Sequence, residues 1–294
     1  MRDYKQTSKL SASIVVGGLL AATLGCSPRT LVVVDGCRDG GARCLAPGDA
    51  LAPGDSADAP VDSPAPDVPS TAALREGLVG LWHLDDGTGS AVAVDSSGRG
   101  NHGTLFGLDP AAAWVPGQLG GSLETNAVGY ALVPRTASID SIVGQVTVAA
   151  WIYLTGTIND YATAASRQIG TGLTQHYHLS LDRTARPSAF INRGVPSDFY
   201  RLLNGPNPVT PMTWTHLAVT YDGATASLYV DGQVVHSLPI SGSFGPDTTP
   251  LILGGNGNLQ EITERFPGRV DEIVLYNRAL GPAEILQLAS GVVF

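Results

Sequence analysis

Several residue sets in the 294-residue chain have types and spacings that could do chemistry. Hydrolysis of a glycosidic bond needs two carboxyl groups facing each other across a cleft. Asp85-Asp86 and Asp271-Glu272 are the adjacent acidic pairs of the folded region. Neighbours on a strand point to opposite faces, so neither pair, if strand-borne, would act on one substrate atom. Glu261 and Glu264 fall in a loop-like stretch where solvated carboxylates are expected. His176 and His178, two positions apart, share one strand face and could ligate a transition metal, but no third ligand lies near them in sequence. They read equally well as polar residues on an exposed sheet face, and His216 as a packed structural histidine. Nothing resembles a Gly-x-Ser-x-Gly nucleophile elbow. These residues together point away from catalysis.

The elements that would position them are mostly strands. Residues Trp214–Val235 (WTHLAVTYDGATASLYVDGQVV) alternate apolar and polar side chains twice, with Asp-Gly after each run. Asp231-Gly232 predicts a two-residue hairpin turn and Asp222–Thr225 a longer loop, giving a three-stranded meander. Leu217, Val219 and Tyr221 fall on one face, and Trp214, His216 and Ala218 on the other. Further strands are predicted at Val79–Leu84, Tyr130–Val133, Gln145–Leu154, Tyr177–Leu181, Ala189–Ile191, Pro250–Gly255 and Gly268–Tyr276. Only Gly281–Leu288 reads helical, with Gly281 as cap and Pro282 in the first turn. The expected fold is all-β, a two-sheet antiparallel jelly roll with one short C-terminal helix.

The N-terminal quarter is different. Arg2, Lys5 and Lys9 precede an apolar stretch, Leu10–Leu24, that is short for a membrane span, so residues 1–25 read as a signal peptide. The stretch ends in Gly25-Cys26, which resembles a bacterial lipobox, although Thr23 stands where leucine is usual. Cys26 is the expected lipidation site, and Ser27 favours the outer membrane. Cys37 and Cys44 are expected to close a small disulfide loop in an oxidising compartment. Ala46–Ser70 is built from Ala, Pro, Asp, Gly and Ser, with five aspartates and no basic residue. Such a segment buries too little apolar surface to offset the entropy of ordering, so residues 26–75 form an expected disordered tether. The domain is then 76–294, with 10 arginines against 18 acidic residues. That negative field excludes nucleic acid and anionic membrane surfaces as partners; contact with a membrane is expected through the lipid anchor only.

VGLWHLDDGTG, AVDSSGRGNHGTL, VTVAAWIYL, WTHLAVTYDG…SLYVDG, LILGG and FPGRVDEIVLYNRALGPAEI occur in the order seen in laminin G-like domains of the concanavalin A-like lectin/glucanase superfamily. The resemblance runs from Leu78 to Leu288 and implies a jelly roll that binds glycans or surface proteins. Glucanases of the superfamily carry Glu-x-Asp-x-Glu or Glu-x-Asp-x-x-Glu on one strand, and neither pattern is present, so no catalytic residue is expected. Asp95 and Asp271 sit in motifs that resemble the family's metal-binding surroundings. A structural calcium ion held by Asp95, Gly98, Asn101 and Asp271 is therefore expected, glycines 98 and 100 letting the loop turn its carbonyls inward. The alternative is that Asp95 caps its own Ser-Gly turn and Asp271 binds loop amides. Asn159–Gln175 and Asn192–Pro211 depart most from the family's short connections, and Tyr161, Arg193 and Tyr200 there are the expected ligand-binding residues. The whole reads as a non-catalytic binding module on a bacterial surface. The alternatives are an envelope adhesion protein without a soluble ligand and, more remotely, a divergent polysaccharide-cleaving enzyme.

Overall fold

The computed structural model describes residues 69–168, 175–193, 202–245, 249–257 and 262–292. The signal peptide, Cys26, Cys37, Cys44, the tether to residue 68, Tyr200 and Glu261 lie outside the described residues. The chain opens with α1 (Thr71–Arg75), then β1 (Leu78–Trp82), β2 (Val92–Ala93), β3 (Gly103–Phe106), β4 (Trp114–Pro116), β5 (Gly121–Glu124) and β6 (Tyr130–Val133). After α2 (Ala137–Asp140) come β7 (Val146–Leu154), β8 (Tyr161–Gln168), β9 (Gln175–Asp182), β10 (Pro187–Ile191) and β11 (Leu202–Asn204). The meander follows as β12 (Trp214–Tyr221), β13 (Thr225–Val230) and β14 (Gln233–Pro239). The chain closes with β15 (Leu251–Leu253), β16 (Asn256–Gly257), β17 (Ile262–Thr263), β18 (Gly268–Tyr276) and α3 (Pro282–Ala289).

Two large antiparallel sheets result. The first runs β14-β13-β12-β7-β18-β5-β4, with β1 also on β18, and the second β11-β10-β9-β8-β15-β6-β3-β2. Their facing sides hold the core: Leu217, Val219 and Tyr221 of β12 and Val146, Val148, Ala150 and Ile152 of β7 meet Tyr177, Leu179 and Leu181 of β9. These core-facing residues recur with period two, although β7 and β12 are buried along nearly their whole length. In the β13–β14 turn both Asp231 (φ 47°) and Gly232 (φ 79°) are left-handed, as a two-residue hairpin demands. The outer side of the first sheet is also covered. Ala149, Ala218, Tyr229 and Val274 pack there with Ile285 and Leu288 of α3. Gly80 is needed on β1, because a Cβ there would lie 2.2 Å from the Trp82 ring.

Four expectations are corrected. Two short helices join the C-terminal one: Ser70 caps α1 and Thr136 caps α2. The folded unit starts before residue 76, since Leu74 is fully buried and its carbonyl accepts the Tyr276 hydroxyl at 2.8 Å. The Asn159–Gln175 connection contains β8, an interior strand between β9 and β15, and β11 lies within 192–211. Tyr-Ala-Thr-Ala-Ala-Ser-Arg-Gln has no bulky alternation because β8 is packed on both faces. Finally, His176 and His178 share a sheet face as expected, but that face is buried.

Arg278 ties the ends of the domain together. It donates to the carbonyls of Ala73 (2.8 Å) and Glu76 (2.7 Å) and pairs with both oxygens of Glu284 in α3. The Arg278→Ala variant should lose ~2 kcal/mol of stability, the range for charge-assisted hydrogen bonds at a partly exposed site, read as a lower urea midpoint with an unchanged slope.

Candidate functional site

The expected metal residues fall into two separate hydrogen-bonded staples, one around Asp95 and one around Asp271. Asp95 Oδ1 accepts from the amides of Leu81 (3.0 Å) and Ser97 (2.9 Å), and Oδ2 from Ser97 Oγ and the Asn101 amide, both at 2.8 Å. Gly98 (φ 81°) supplies the left-handed turn that brings these donors round. Asn101 is buried, donating to the Val79 carbonyl at 2.7 Å and accepting from Thr136 Oγ1 at 2.6 Å. Its own carbonyl accepts the Trp82 indole N–H at 2.9 Å. Asp271 Oδ2 accepts from the amides of Gln118 (2.8 Å) and Leu119 (3.0 Å), and Oδ1 from that of Glu272 (2.7 Å). The two carboxylates share no partner. Each Asp95 oxygen already accepts two N–H or O–H donors, which would compete with the calcium role expected of it, whereas Asp271 Oδ1 accepts one. Among the described residues no group of three or more His, Cys, Asp or Glu could hold a metal ion. Burial, reinforced by Glu272, pushes the Asp271 carboxyl up to about 7.

The acidic pairs bind separate partners, though not through regular strand geometry: Asp85-Asp86 lies beyond the end of β1, and Glu272 (φ 46°) sits at a bulge of β18. Asp85 accepts the Gly121 amide and Asp86 the Val94 amide at 3.1 Å. Glu272 takes His83 Nδ1 at 2.9 Å, a contact that raises the imidazole's pKa.

A different constellation lies on the outer face of the second sheet. Tyr161 (β8), His178 (β9) and Phe190 (β10) form an aromatic triangle, with centroids 5.4 Å apart for Tyr161–Phe190 and 5.2 Å for His178–Phe190. The chain after β15 returns over this face, fixed by the bonds Gly254 N–H to Ala164 O (2.7 Å) and Thr163 N–H to Glu264 O (3.0 Å). The small side chains of β8 permit that approach. The return carries Glu264 inward, where it accepts from Asn256 Nδ2 at 2.8 Å and sits 3.5 Å from His178 Nε2. Glu264 is therefore not the solvated loop residue expected. Burial raises its pKa, with Asp160 adding to the effect. His178 shares a 2.6 Å hydrogen bond with Thr163 and is held neutral, its pKa driven down to about 3 by burial.

Beside this cluster is a cavity of about 200 Å³ whose lining includes Asn159, Asp160, Tyr161, Glu264 and Arg265. Arg265 links it to a second aromatic surface, its guanidinium 5.9 Å from the Tyr130 ring centroid. Tyr130 stacks on Phe106 at 5.7 Å and 16°, and Phe106 is 44% exposed. The site thus offers aromatic faces at both ends and carboxyl, amide and guanidinium groups between them, a set suited to sugar rings and their hydroxyls. Of the expected ligand residues, Tyr161 is here. Arg193 is not: it follows β10 and donates to the Ser241 carbonyl. Tyr161 pairs with Asp182 and Ile191 with Tyr177, so Tyr161 and Arg193 lie at opposite ends of β9. Asp160, Glu264, Arg265, Phe106 and Tyr130 were missed by the sequence reading, and only the exposed aromatic of β3 left a local trace.

Two antiparallel sheets with a polar, aromatic-edged outer face define a lectin-like β-sandwich. Residues 125–286 match the family described as the concanavalin A-like lectin/glucanases superfamily, and the chain belongs to it. No curated protein matches the sequence. Solved structures of the same fold include a Trypanosoma rangeli sialidase, at 19% identity and a TM-score of 0.55, the match covering 79% of this chain and 35% of that one. Domain 4 of AbnA, a GH43 extracellular arabinanase from Geobacillus stearothermophilus solved with arabinotriose, is similar at 20% identity and a TM-score of 0.52, covering 72% and 98%. The binding domain of Paraclostridial Mosquitocidal Protein 1 is similar at 18% and 0.56, covering 74% and 53%. The chain therefore spans about a third of the sialidase and half of the mosquitocidal domain. At these identities the likeness is one of fold.

Proposed function

We propose that the protein is a non-catalytic carbohydrate-binding module, held at a bacterial surface by a lipid on Cys26 and the tether that follows. The observation that carries the binding reading is the Asp160–Tyr161–Glu264–Arg265 cavity joined to the exposed Phe106–Tyr130 stack. The arabinanase domain solved with arabinotriose supports the ligand class. A glycan array probed with the full chain is expected to show saturable binding, and Tyr161→Ala to weaken it about tenfold, the value of one aromatic contact. A blank array, with binding to envelope proteins instead, would favour the adhesion reading. Mass spectrometry of the mature N-terminus checks the anchor: an acylated Cys26 is expected.

A hydrolytic reading has two observations in its favour: the carboxyl groups of Asp160 and Glu264 line one cavity, and burial raises the Glu264 pKa as a general acid requires. Glu264 is tied to Asn256 and stands beside neutral His178, which suits a fixed hydrogen-bonding role better than proton transfer. Polysaccharides incubated with the protein are expected to release no new reducing ends.

A further inference from the structure

Arg265, in the lining of the outer-face cavity, differs from the other half-buried and buried arginines of the domain. Arg135, Arg167, Arg269 and Arg278 each pair with a carboxylate at 2.6–3.0 Å. Among the described residues, nothing accepts a hydrogen bond from the Arg265 guanidinium, and its Nε is buried without an acceptor. Leaving a charged donor in that state is costly, and the cost is recovered only when an acceptor arrives from outside. The buried Nε leaves the outer end of the guanidinium, with its two NH₂ groups, as the part that a ligand can reach.

The side chain is placed before any ligand binds. A backbone bridge to Thr163 of β8 fixes the main chain at Arg265, and its guanidinium lies 5.9 Å from the Tyr130 ring centroid. Tyr130 in turn stacks on the exposed Phe106 ring. A cation held against an aromatic face loses little freedom on binding. The neighbouring carboxyl does not neutralise it: Glu264 accepts from Asn256 and faces His178, while Arg265 reaches Tyr130. Burial also favours the uncharged form of Glu264. Asp160 is the second carboxylate of the lining, but it is exposed and water screens it.

We propose that Arg265 sets the specificity of the outer-face site by binding the carboxylate of a ring-bearing acid, whose ring lies on the Tyr130–Phe106 stack. A planar guanidinium matches a planar carboxylate with two parallel hydrogen bonds, and partial burial strengthens the pair. The acid group points to the Tyr130 side, away from Asp160. This rests on the site of the carbohydrate reading and adds the charge of the ligand to it. A sugar acid and a non-sugar ring acid present the same group to Arg265, and the experiment separates them.

The test is saturation-transfer NMR and calorimetry on the full chain with two matched pairs, trigalacturonic acid beside neutral galactotriose and cyclohexanecarboxylate beside cyclohexylmethanol. At least one acid should bind about tenfold more tightly than its neutral partner at low salt, and the preference should shrink as salt is added. Arg265→Gln should abolish the preference, and Arg265→Lys, which keeps the charge but not the fork, should retain only part of it. Asp160→Asn should raise the affinity for the acid about two- to threefold. If Arg265→Gln fails to fold, Tyr130→Leu, which removes the aromatic floor and leaves the guanidinium, should weaken the acid several-fold. The proposal is overturned if neither acid is preferred over its neutral partner, or if the preference survives Arg265→Gln. A glycan array with neutral hits alone, indifferent to Arg265→Gln, overturns it and leaves the carbohydrate reading standing. An Arg265-dependent preference confined to cyclohexanecarboxylate upholds it where the carbohydrate reading fails.

Discussion

Replacing Asp95 by alanine is expected to cost ~3–5 kcal/mol and to lower the melting temperature by roughly 10 °C, equally in excess calcium and in chelator. The carboxylate satisfies three main-chain amides, those of Leu81, Ser97 and Asn101, and the Ser97 hydroxyl. Asp95 is only 5% exposed, so its loss strands donors that water reaches poorly. Each stranded buried donor costs about 1–3 kcal/mol, and partial relaxation of the loop keeps the total below the sum. Asp95→Asn should lose less, because an amide oxygen can replace one carboxylate oxygen while its NH₂ faces donors at the other. A wild-type melting temperature that rises with calcium, in a manner Asp95→Ala abolishes, would restore the metal reading and sink the hydrogen-bonded one.

The second large effect is a loss of stability in acid that His216→Phe reduces. His216 is buried on the outer side of the first sheet, its ring edge-on to Trp151 at 5.3 Å. Its Nδ1 has no hydrogen-bond partner among the described residues. Burial drives its pKa down from 6.5 to about 3. Because the folded pKa lies below the unfolded one, the stabilisation is present in full above about pH 6.5. It is lost as pH falls from there toward 3, where the unfolded chain takes a proton that the folded chain refuses. At pH 5 that amounts to roughly 2 kcal/mol from this residue. His178 behaves in the same sense, whereas Asp271, with its raised pKa, works oppositely by taking its proton in the folded state first. A comparison of variant and wild type isolates His216 from both. Phenylalanine keeps the ring contact and removes the unpaired nitrogen, so His216→Phe should gain on wild type by about 2 kcal/mol between pH 7 and pH 5 in denaturant melts. A difference that stays constant with pH would show that the imidazole is not held neutral.

What could be read without coordinates was local. The β12–β14 meander follows from period-two alternation, and the Asp231-Gly232 turn from the tolerance of both residues for positive φ. The Gly281-Pro282 start of α3 follows from capping chemistry, confirmed by the Gly281 amide bonding Glu284 at 2.8 Å. Tyr161 was singled out as an aromatic in an unusual connection, and it does line the outer-face cavity. Strand β8 was hidden because its burial comes from elements far away in the chain, so its own side chains need no alternation.

The sequence by itself thus determined the all-β class and the hairpin framework, since each rests on residues within a few positions of one another, and the family resemblance, which rests on the order of short local motifs along the chain. Only the tertiary structure decided what the acidic residues do. Glu264 lies about a hundred positions from Asp160, and Asp271 some 150 from the amides of Gln118 and Leu119. A carboxylate's role depends on whether backbone donors, a histidine or solvent faces it, and that is settled by sheet register and by the loop folded over it. No short stretch of sequence carries that information.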